Sequence, residues 1–261
     1  MTRRSGPEAV EARARRVFGA RAAHYVTSET HADPVVLARV VELAGRAAGT
    51  ALDVGAGTGH TAFALARAGF AVVALDLTPE MLAEARQVAR REGLDGVRFE
   101  VGDVHALPFP DAAFEVVTCR RAAHHFSDIG AALAEMVRVL KPGGRLVIDD
   151  RSVPEDDFVD ATMQRLDTLH DPSHVRQYRP SEWLRMLERA GLGVYAIEPY
   201  TQHRPLTSLT LGVPEADVAE IERTIAGLSP AQRAAMAVDE RDGAVHTDHW
   251  YVTLLAIKPD G

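Results

Sequence analysis

Nine consecutive residues constrain this chain more than any other stretch: Ala51-Leu52-Asp53-Val54-Gly55-Ala56-Gly57-Thr58-Gly59. A short apolar run closes on glycines, and a helical pattern follows through Thr61, Ala62, Phe63, Leu65 and Ala66. That order reads as a first parallel strand turning into a helix, with glycine where a backbone passing tightly under a ligand leaves no room for Cβ. Gly55, Gly57 and Gly59 are spaced G-x-G-x-G, and the position that would complete the dinucleotide fingerprint G-x-G-x-x-G is His60. The departure counts against a nicotinamide cofactor.

The rhythm then repeats. Ala71 to Leu75 reads as a second buried strand, and Asp76 stands at its carboxyl end, 21 residues after Gly55. A carboxylate there can accept hydrogen bonds from both hydroxyls of an unphosphorylated ribose. Thr78-Pro79 reads as N-cap and first residue of a helix from Glu80 to Arg91, closed by Gly93. Met81, in its first turn, suits an adenine face or the core equally. A third strand, Val97 to Val101, ends in Gly102-Asp103-Val104, which puts a second carboxylate at the same sheet edge, placed to accept from an exocyclic amine.

A fourth strand, Phe114 to Cys119, leaves into Arg120-Arg121-Ala122-Ala123-His124-His125-Phe126. A helix through Leu133 and Met136, a turn at Lys141-Pro142-Gly143-Gly144 and a fifth strand from Arg145 to Ile148, ending in Asp149-Asp150, follow. Alternation of this kind predicts an α/β fold with a doubly wound, mostly parallel sheet and its ligand at the carboxyl ends of the strands.

The flanks are less specific. The N-terminus carries Arg3, Arg4, Arg13, Arg15, Arg16 and Arg21, as a transit peptide would, but Glu8 and Glu11 argue for a solvated helix face. Phe18 and Tyr25 share one helical face within residues 17–31, and Asp33-Pro34 opens a helix through Leu43 that ends near Gly45 or Gly49. Past Asp150, residues 151–180 read as an insertion with a helix from Phe158 to Leu169. His170 and His174 follow, four apart, but Pro172 breaks the helical geometry and no Cys or carboxylate cluster completes a set, so no metal is expected. Ser181 is expected to cap the next helix, through Trp183 to Gly191, ahead of a strand from Val194 to Ile197. Further helices start at Pro214 and Ser229-Pro230, and Trp250 to Ile257 reads as the last strand.

With 261 residues, 46% of them hydrophobic, one embellished domain is expected. A formal charge of −8 disfavours nucleic acid or an anionic membrane as the main partner and leaves small molecules. One cysteine, Cys119, and no apolar run long enough for a membrane span fit a cytoplasmic protein.

Taken together, Leu52 to Gly59, Asp76, Gly102-Asp103, His124-His125-Phe126 and Arg138 to Gly144 resemble the class I S-adenosylmethionine-dependent methyltransferases. Within that family the likeness is to the small-molecule branch around the ubiquinone and menaquinone methyltransferases, over roughly residues 15–200. The resemblance implies a seven-stranded Rossmann-like sheet whose last strand inserts antiparallel. It also implies lid helices over residues 1–45, and a catalytic domain over 46–261 with insertions at about 151–180 and 201–245. It implies S-adenosyl-L-methionine as cofactor, with Gly55, Ala56 and Gly57, and Asp53 of the same motif, at the methionine moiety. Asp76 and its neighbour Leu77 would hold the ribose, Asp103, Val104 and Met81 the adenine, and Arg120 the amino-acid end, under a lid that includes Tyr25. It further implies a small-molecule acceptor, O-, C- or N-methylated, and a monomer or homodimer.

Displacement at a sulfonium methyl needs proximity, alignment and dehydration, and a general base only where the nucleophile must lose a proton. His124, His125 and Asp150, at neighbouring strand ends, are the candidate base and orienting carboxylate. Histidines that only shape the loop are the alternative, sufficient for an amine acceptor. Consecutive residues on an extended loop point apart, so one histidine is expected to matter. Two other functions fit parts of the pattern: an NAD(P)-dependent oxidoreductase, disfavoured by His60 and Asp103, and a non-catalytic S-adenosylmethionine-binding protein.

Overall fold

The computed structural model describes residues 7–28, 30–45 and 49–260; Arg3, Arg4 and the side chain of Glu8 lie outside the described part. Two helices come first, α1 (Pro7–Val26) and α2 (Pro34–Ala44). The Asp33 carboxylate caps α2 by accepting from the amides of Val35 and Val36 at 3.0 and 3.3 Å, with Pro34 in its first turn. Strand and helix then alternate: β1 (Thr50–Val54), α3 (His60–Arg67), β2 (Ala71–Asp76), α4 (Pro79–Glu92), β3 (Arg98–Val101), β4 (Phe114–Arg120), α5 (Ile129–Val139) and β5 (Leu140–Ser152). After α6 (Asp157–His170) and α7 (Pro180–Arg189) come β6 (Gly193–Pro205), the short helices α8 (Thr207–Thr210), α9 (Glu215–Ala226) and α10 (Pro230–Ala235), then β7 (Asp239–Arg241) and β8 (Ala244–Ile257).

The sheet order is β3-β2-β1-β4-β5-β8-β6, with β7 paired on β8. The first five strands run parallel, and β8 lies antiparallel between β5 and β6. The order reverses between β1 and β4, so the loops leaving them diverge and open a crevice at their carboxyl ends. Alternate residues of β1 feed opposite layers: Leu52 and Val54 join Val117, Ile148, Met136 and Trp183, while Ala51 joins Phe63, Val72 and Val116. A third cluster, Val159, Met163, Leu209, Ile221 and Met236, ties α6 to α8, α9 and α10. The two segments expected as separate insertions therefore bury their apolar faces against each other.

Several expectations change in detail. The sheet has eight strands rather than seven, because β7 folds back on β8 through Asp242-Gly243, both at positive φ, the backbone a two-residue hairpin needs. Lys141-Pro142-Gly143-Gly144 does not precede β5 but bulges within it: Phe114 pairs Leu140 and Val116 already pairs Arg145. Gly144 is required there, since a Cβ would lie 2.7 Å from the Lys141 carbonyl oxygen. Ser181 is not the cap of α7. Arg179 holds that position ahead of Pro180, and the Glu182 carboxylate accepts the Arg179 amide at 2.8 Å, while Ser181 donates to Glu155. β6 runs on to Pro205, well past Ile197, because β8 pairs with it from Ile257 back to His246. No helix among the described residues is long and apolar enough to cross a membrane.

Candidate active site

The crevice between β1 and β4 holds a cavity walled by the loops after β1, β2, β3 and β4 and roofed by α1. Gly55 turns at φ +66, where a Cβ would come within 2.5 Å of Ala122 Cβ. Gly57, at φ +54, has nothing within 4 Å of where its Cβ would be, so the backbone offers open approach to a ligand. The Gly57 amide donates to Asp76 Oδ2 at 2.8 Å and the Thr78 amide to Asp76 Oδ1 at 2.8 Å. Asp76 is thus locked in place, with acceptor capacity left over for a ligand hydroxyl. Burial pushes its pKa up against the bonds from Thr78 and Gly57. Thr78 occupies the N-cap position of α4 but makes no side-chain cap bond, because its hydroxyl also serves Asp76.

Ala56, Leu77, Met81, Asp103 and Val104 all line this cavity. Met81 is 3% exposed, both wall and core. Asp103 Oδ1 accepts from the His105 amide at 2.9 Å and from His105 Nδ1 at 2.6 Å, starting a 3-10 turn over Val104–Ala106. Asp53 is the exception among the expected residues, since it does not reach the wall. It lies beneath the glycine loop, where Oδ1 accepts from Thr118 Oγ1 at 2.7 Å, a tie between β1 and β4. Burial pushes it up to about 7, opposed first by the Thr118 bond and then by Arg120.

Arg120, 7% exposed, donates from Nε to Thr61 Oγ1 at 2.8 Å and from Nη2 to the His31 carbonyl at 2.5 Å. Its Nη1 is buried with no acceptor. A buried guanidinium edge left unpaired is costly, and a carboxylate in the adjoining cavity would satisfy it. From α1, Glu11, Ala14, Phe18 and Tyr25 complete the roof. Phe18 and Tyr25 pack edge to face at 5.9 Å, as their spacing predicts. The Tyr25 carbonyl accepts from His60 Nε2 at 2.9 Å, and burial pushes the Tyr25 phenol up to about 12.

A second cavity, about 330 Å³, adjoins the first. Phe18, Tyr25, His31, Arg121 and His125 line both. The two histidines sit on a 3-10 turn, Ala123–His125, where the His124 amide donates to Asp150 Oδ2 at 2.9 Å and its Nδ1 to Oδ1 at 2.5 Å. Burial drives His124 well below its usual pKa, helped by His125, His174 and Arg151, and raises Asp150. Both directions express the cost of charge in that site, and the imidazole is neutral with Nδ1–H on Asp150 and Nε2 bearing the lone pair. The expectation that the two histidines point apart is not met. The tight turn sets their rings 3.9 Å apart, centre to centre, at 44°. His125 Nδ1 lies 3.2 Å from both the carbonyl oxygen and Oγ of Ser173, and its ring meets Phe18 at 4.8 Å.

Sequence reasoning missed several residues of the site. Arg121, at φ +54, is a non-glycine in the left-handed region, held by its amide on the Asp149 carbonyl at 2.8 Å and its Nε on Asp149 Oδ1 at 3.0 Å. Nothing local announces that. His31 enters both walls and has its Nδ1 on Ser28 Oγ at 2.8 Å, a neighbour three residues back that the sequence does offer as a turn signal. His170 and His174 find different partners, the Leu209 carbonyl at 3.1 Å and Gln164 Oε1 at 3.1 Å.

Residues 52–148 match the methyltransferase domain family. A Bacillus subtilis protein named uncharacterized methyltransferase YcgJ is 43% identical over 155 residues, which is 59% of this chain and 61% of that protein. Demethylmenaquinone methyltransferase of Thermus thermophilus is 47% identical over 113 residues, 42% of this chain and 51% of that protein. The matched stretch thus spans between half and two thirds of these curated relatives. The crystal structure of the Bacillus subtilis YcgJ protein superposes with a TM-score of 0.81 at 33% identity, covering 86% of this chain and 98% of that one.

Proposed function

This chain belongs to the class I S-adenosylmethionine-dependent methyltransferases, and from that premise we propose that it uses S-adenosylmethionine bound under α1 to methylate a small molecule held in the second cavity. The observation that carries this reading is the shared wall: His125, Phe18, Tyr25, His31 and Arg121 border both cavities, so two ligands would meet there.

The residues of the first cavity fit the cofactor. Arg120 Nη1 offers an unpaired buried donor for its carboxylate, Gly57 leaves room for close approach, and Asp76 presents fixed acceptors for a ribose diol. Asp103, with Val104 and Met81, would take the adenine, and Asp53 supports the loop from below. S-adenosylmethionine supplies a sulfonium-bound methyl, whose carbon–sulfur bond breaks with its electron pair left on sulfur as the acceptor atom bonds to carbon. The protein's own part is to hold the acceptor in line, keep water out with α1, and accept a proton where the acceptor carries one. His124 Nε2 is the atom that accepts it. Asp150 fixes the tautomer and stabilises the imidazolium without itself taking the proton. A hydroxyl or activated-carbon acceptor needs that step, and an amine does not.

Calorimetric titration of the full chain with S-adenosylhomocysteine and with NADH tests the cofactor. Saturable binding of the first and none of the second is expected; the reverse result overturns the reading.

A further inference from the structure

The second cavity has an unusual wall for a site that would take an apolar ring. Among its described lining residues the only aliphatic hydrocarbon side chain is Leu211. Three guanidiniums reach it from the same half of the sheet, Arg121 after β4, Arg151 on β5 and Arg204 on β6. Two are neutralised. Arg121 pairs with Asp149 at 3.0 Å, and Arg151 holds Asp167 through both oxygens at 2.7 and 2.8 Å. Arg204 has no carboxylate partner among the described residues. Its Nη2 donates to Thr30 Oγ1 at 2.8 Å and its guanidinium reaches the Tyr251 hydroxyl. The remaining charge on the wall, Asp171, is held from within its own turn by the Ser173 amide and hydroxyl at 2.8 and 2.6 Å.

The three guanidiniums act on their neighbours in this wall. Burial alone would raise Tyr251, yet Arg151, Arg121 and Arg204 bring it below its ordinary value. His249 falls to about 3, by burial and then by Arg151. A half-buried guanidinium with no counter-ion among the described residues presents a planar fork matched to two oxygens of an anion.

We propose that the acceptor carries an anionic group, a carboxylate or a phosphate, and that Arg204 receives it. This rests on the second cavity being the acceptor site. The anion would neutralise a cation that has no counter-ion among the described residues, and Thr30, in the loop between α1 and α2, shares the same guanidinium. The same cavity carries the histidine pair on its wall, so one acceptor can be anchored by Arg204 and meet the base within a single site.

The test uses phenol-sized fragments in matched sets, each as carboxylate, primary amide and phosphate ester, titrated into the full chain by ligand-observed NMR with and without S-adenosylhomocysteine. The anions should bind at least tenfold more tightly than the amides, lose that advantage in Arg204→Gln, keep part of it in Arg204→Lys, and weaken with added salt. A larger gain for the carboxylates or for the phosphates identifies which acid group the site is built for. Equal binding of acids and amides, binding by none of them, or an anion preference that survives Arg204→Gln overturns the proposal. S-adenosylhomocysteine affinity is measured separately in each variant. Normal cofactor binding without anion preference removes this inference alone, whereas anion preference without cofactor binding removes the cofactor reading and leaves Arg204 in place.

Discussion

His124 and Asp150 share two hydrogen bonds, one from the histidine's amide and one from its ring, at 2.9 and 2.5 Å. Backbone and imidazole are fixed by the same carboxylate, so ring orientation is set before any ligand arrives. With a hydroxyl or activated-carbon acceptor, His124→Ala should lower kcat by about 10²–10⁴ and leave S-adenosylhomocysteine affinity nearly unchanged. Asp150→Asn should cost less, because it orients rather than carries the proton. His125→Ala should alter both kcat and cofactor affinity, since its ring borders both cavities. Full turnover in both histidine variants and in the double variant would remove the base and point to an amine acceptor.

The acid limb of the rate profile should lie below pH 6.5. A base works when deprotonated, and burial moves His124 well below its ordinary value, so activity should hold steady from pH 8 down through 6.5 and fall only beneath it. A limb centred at or above pH 6.5 assigns the proton to another group.

Asp76→Ala should weaken S-adenosylmethionine binding by about 1.5–3 kcal/mol, the range for hydrogen bonds to a charged group, with the fold retained. Loss of the bonds from Gly57 and Thr78 should also speed amide exchange at those two positions. Unchanged calorimetric affinity takes Asp76 out of the site.

The roof should respond to cofactor. S-adenosylhomocysteine is expected to slow amide exchange through residues 15–28 more than in α9 and α10. His60→Ala, which removes the donor to the Tyr25 carbonyl, should raise exchange in the last turn of α1 even without ligand. Equal protection of both regions leaves α1 as plain scaffold.

Stability should fall as pH drops from 7 to 5. His174 and His249 are buried and neutral, lowered mainly by burial to about 4 and about 3. Below pH 6.5 the unfolded chain binds protons that the folded chain refuses, so stability present at pH 7 is lost progressively, on the order of 2 kcal/mol for each at pH 5. Asp167, held near 2, adds nothing in that window because its contribution is lost only below about pH 4. Denaturant midpoints at pH 7 and 5, with His249→Gln as control, measure this; a flat response places those histidines in contact with solvent.

What the sequence disclosed was what is decided locally. The glycine turn, the Asp33 cap and Asp76 are set within a few residues of their own backbone, and all three stand where their spacing implies. Asp150 meeting His124 was also legible, because neighbouring parallel strands must end side by side. Arg204 was not. It comes to the second cavity only because β6 continues to pair with β8 as far as Pro205 and His246, a register that two distant segments settle together. The left-handed backbone of Arg121 depends likewise on Asp149, across a strand pair. Asp53 shows the opposite error: a motif marks the residue, but its side chain turns inward to Thr118.

His60 has a double consequence. The histidine that departs from the dinucleotide glycine pattern also clasps the carbonyl of Tyr25. A glycine substituted there would complete the dinucleotide spacing and, in the same stroke, remove the ring that ties the last turn of α1 to the start of α3, so the two changes cannot be made separately at that position.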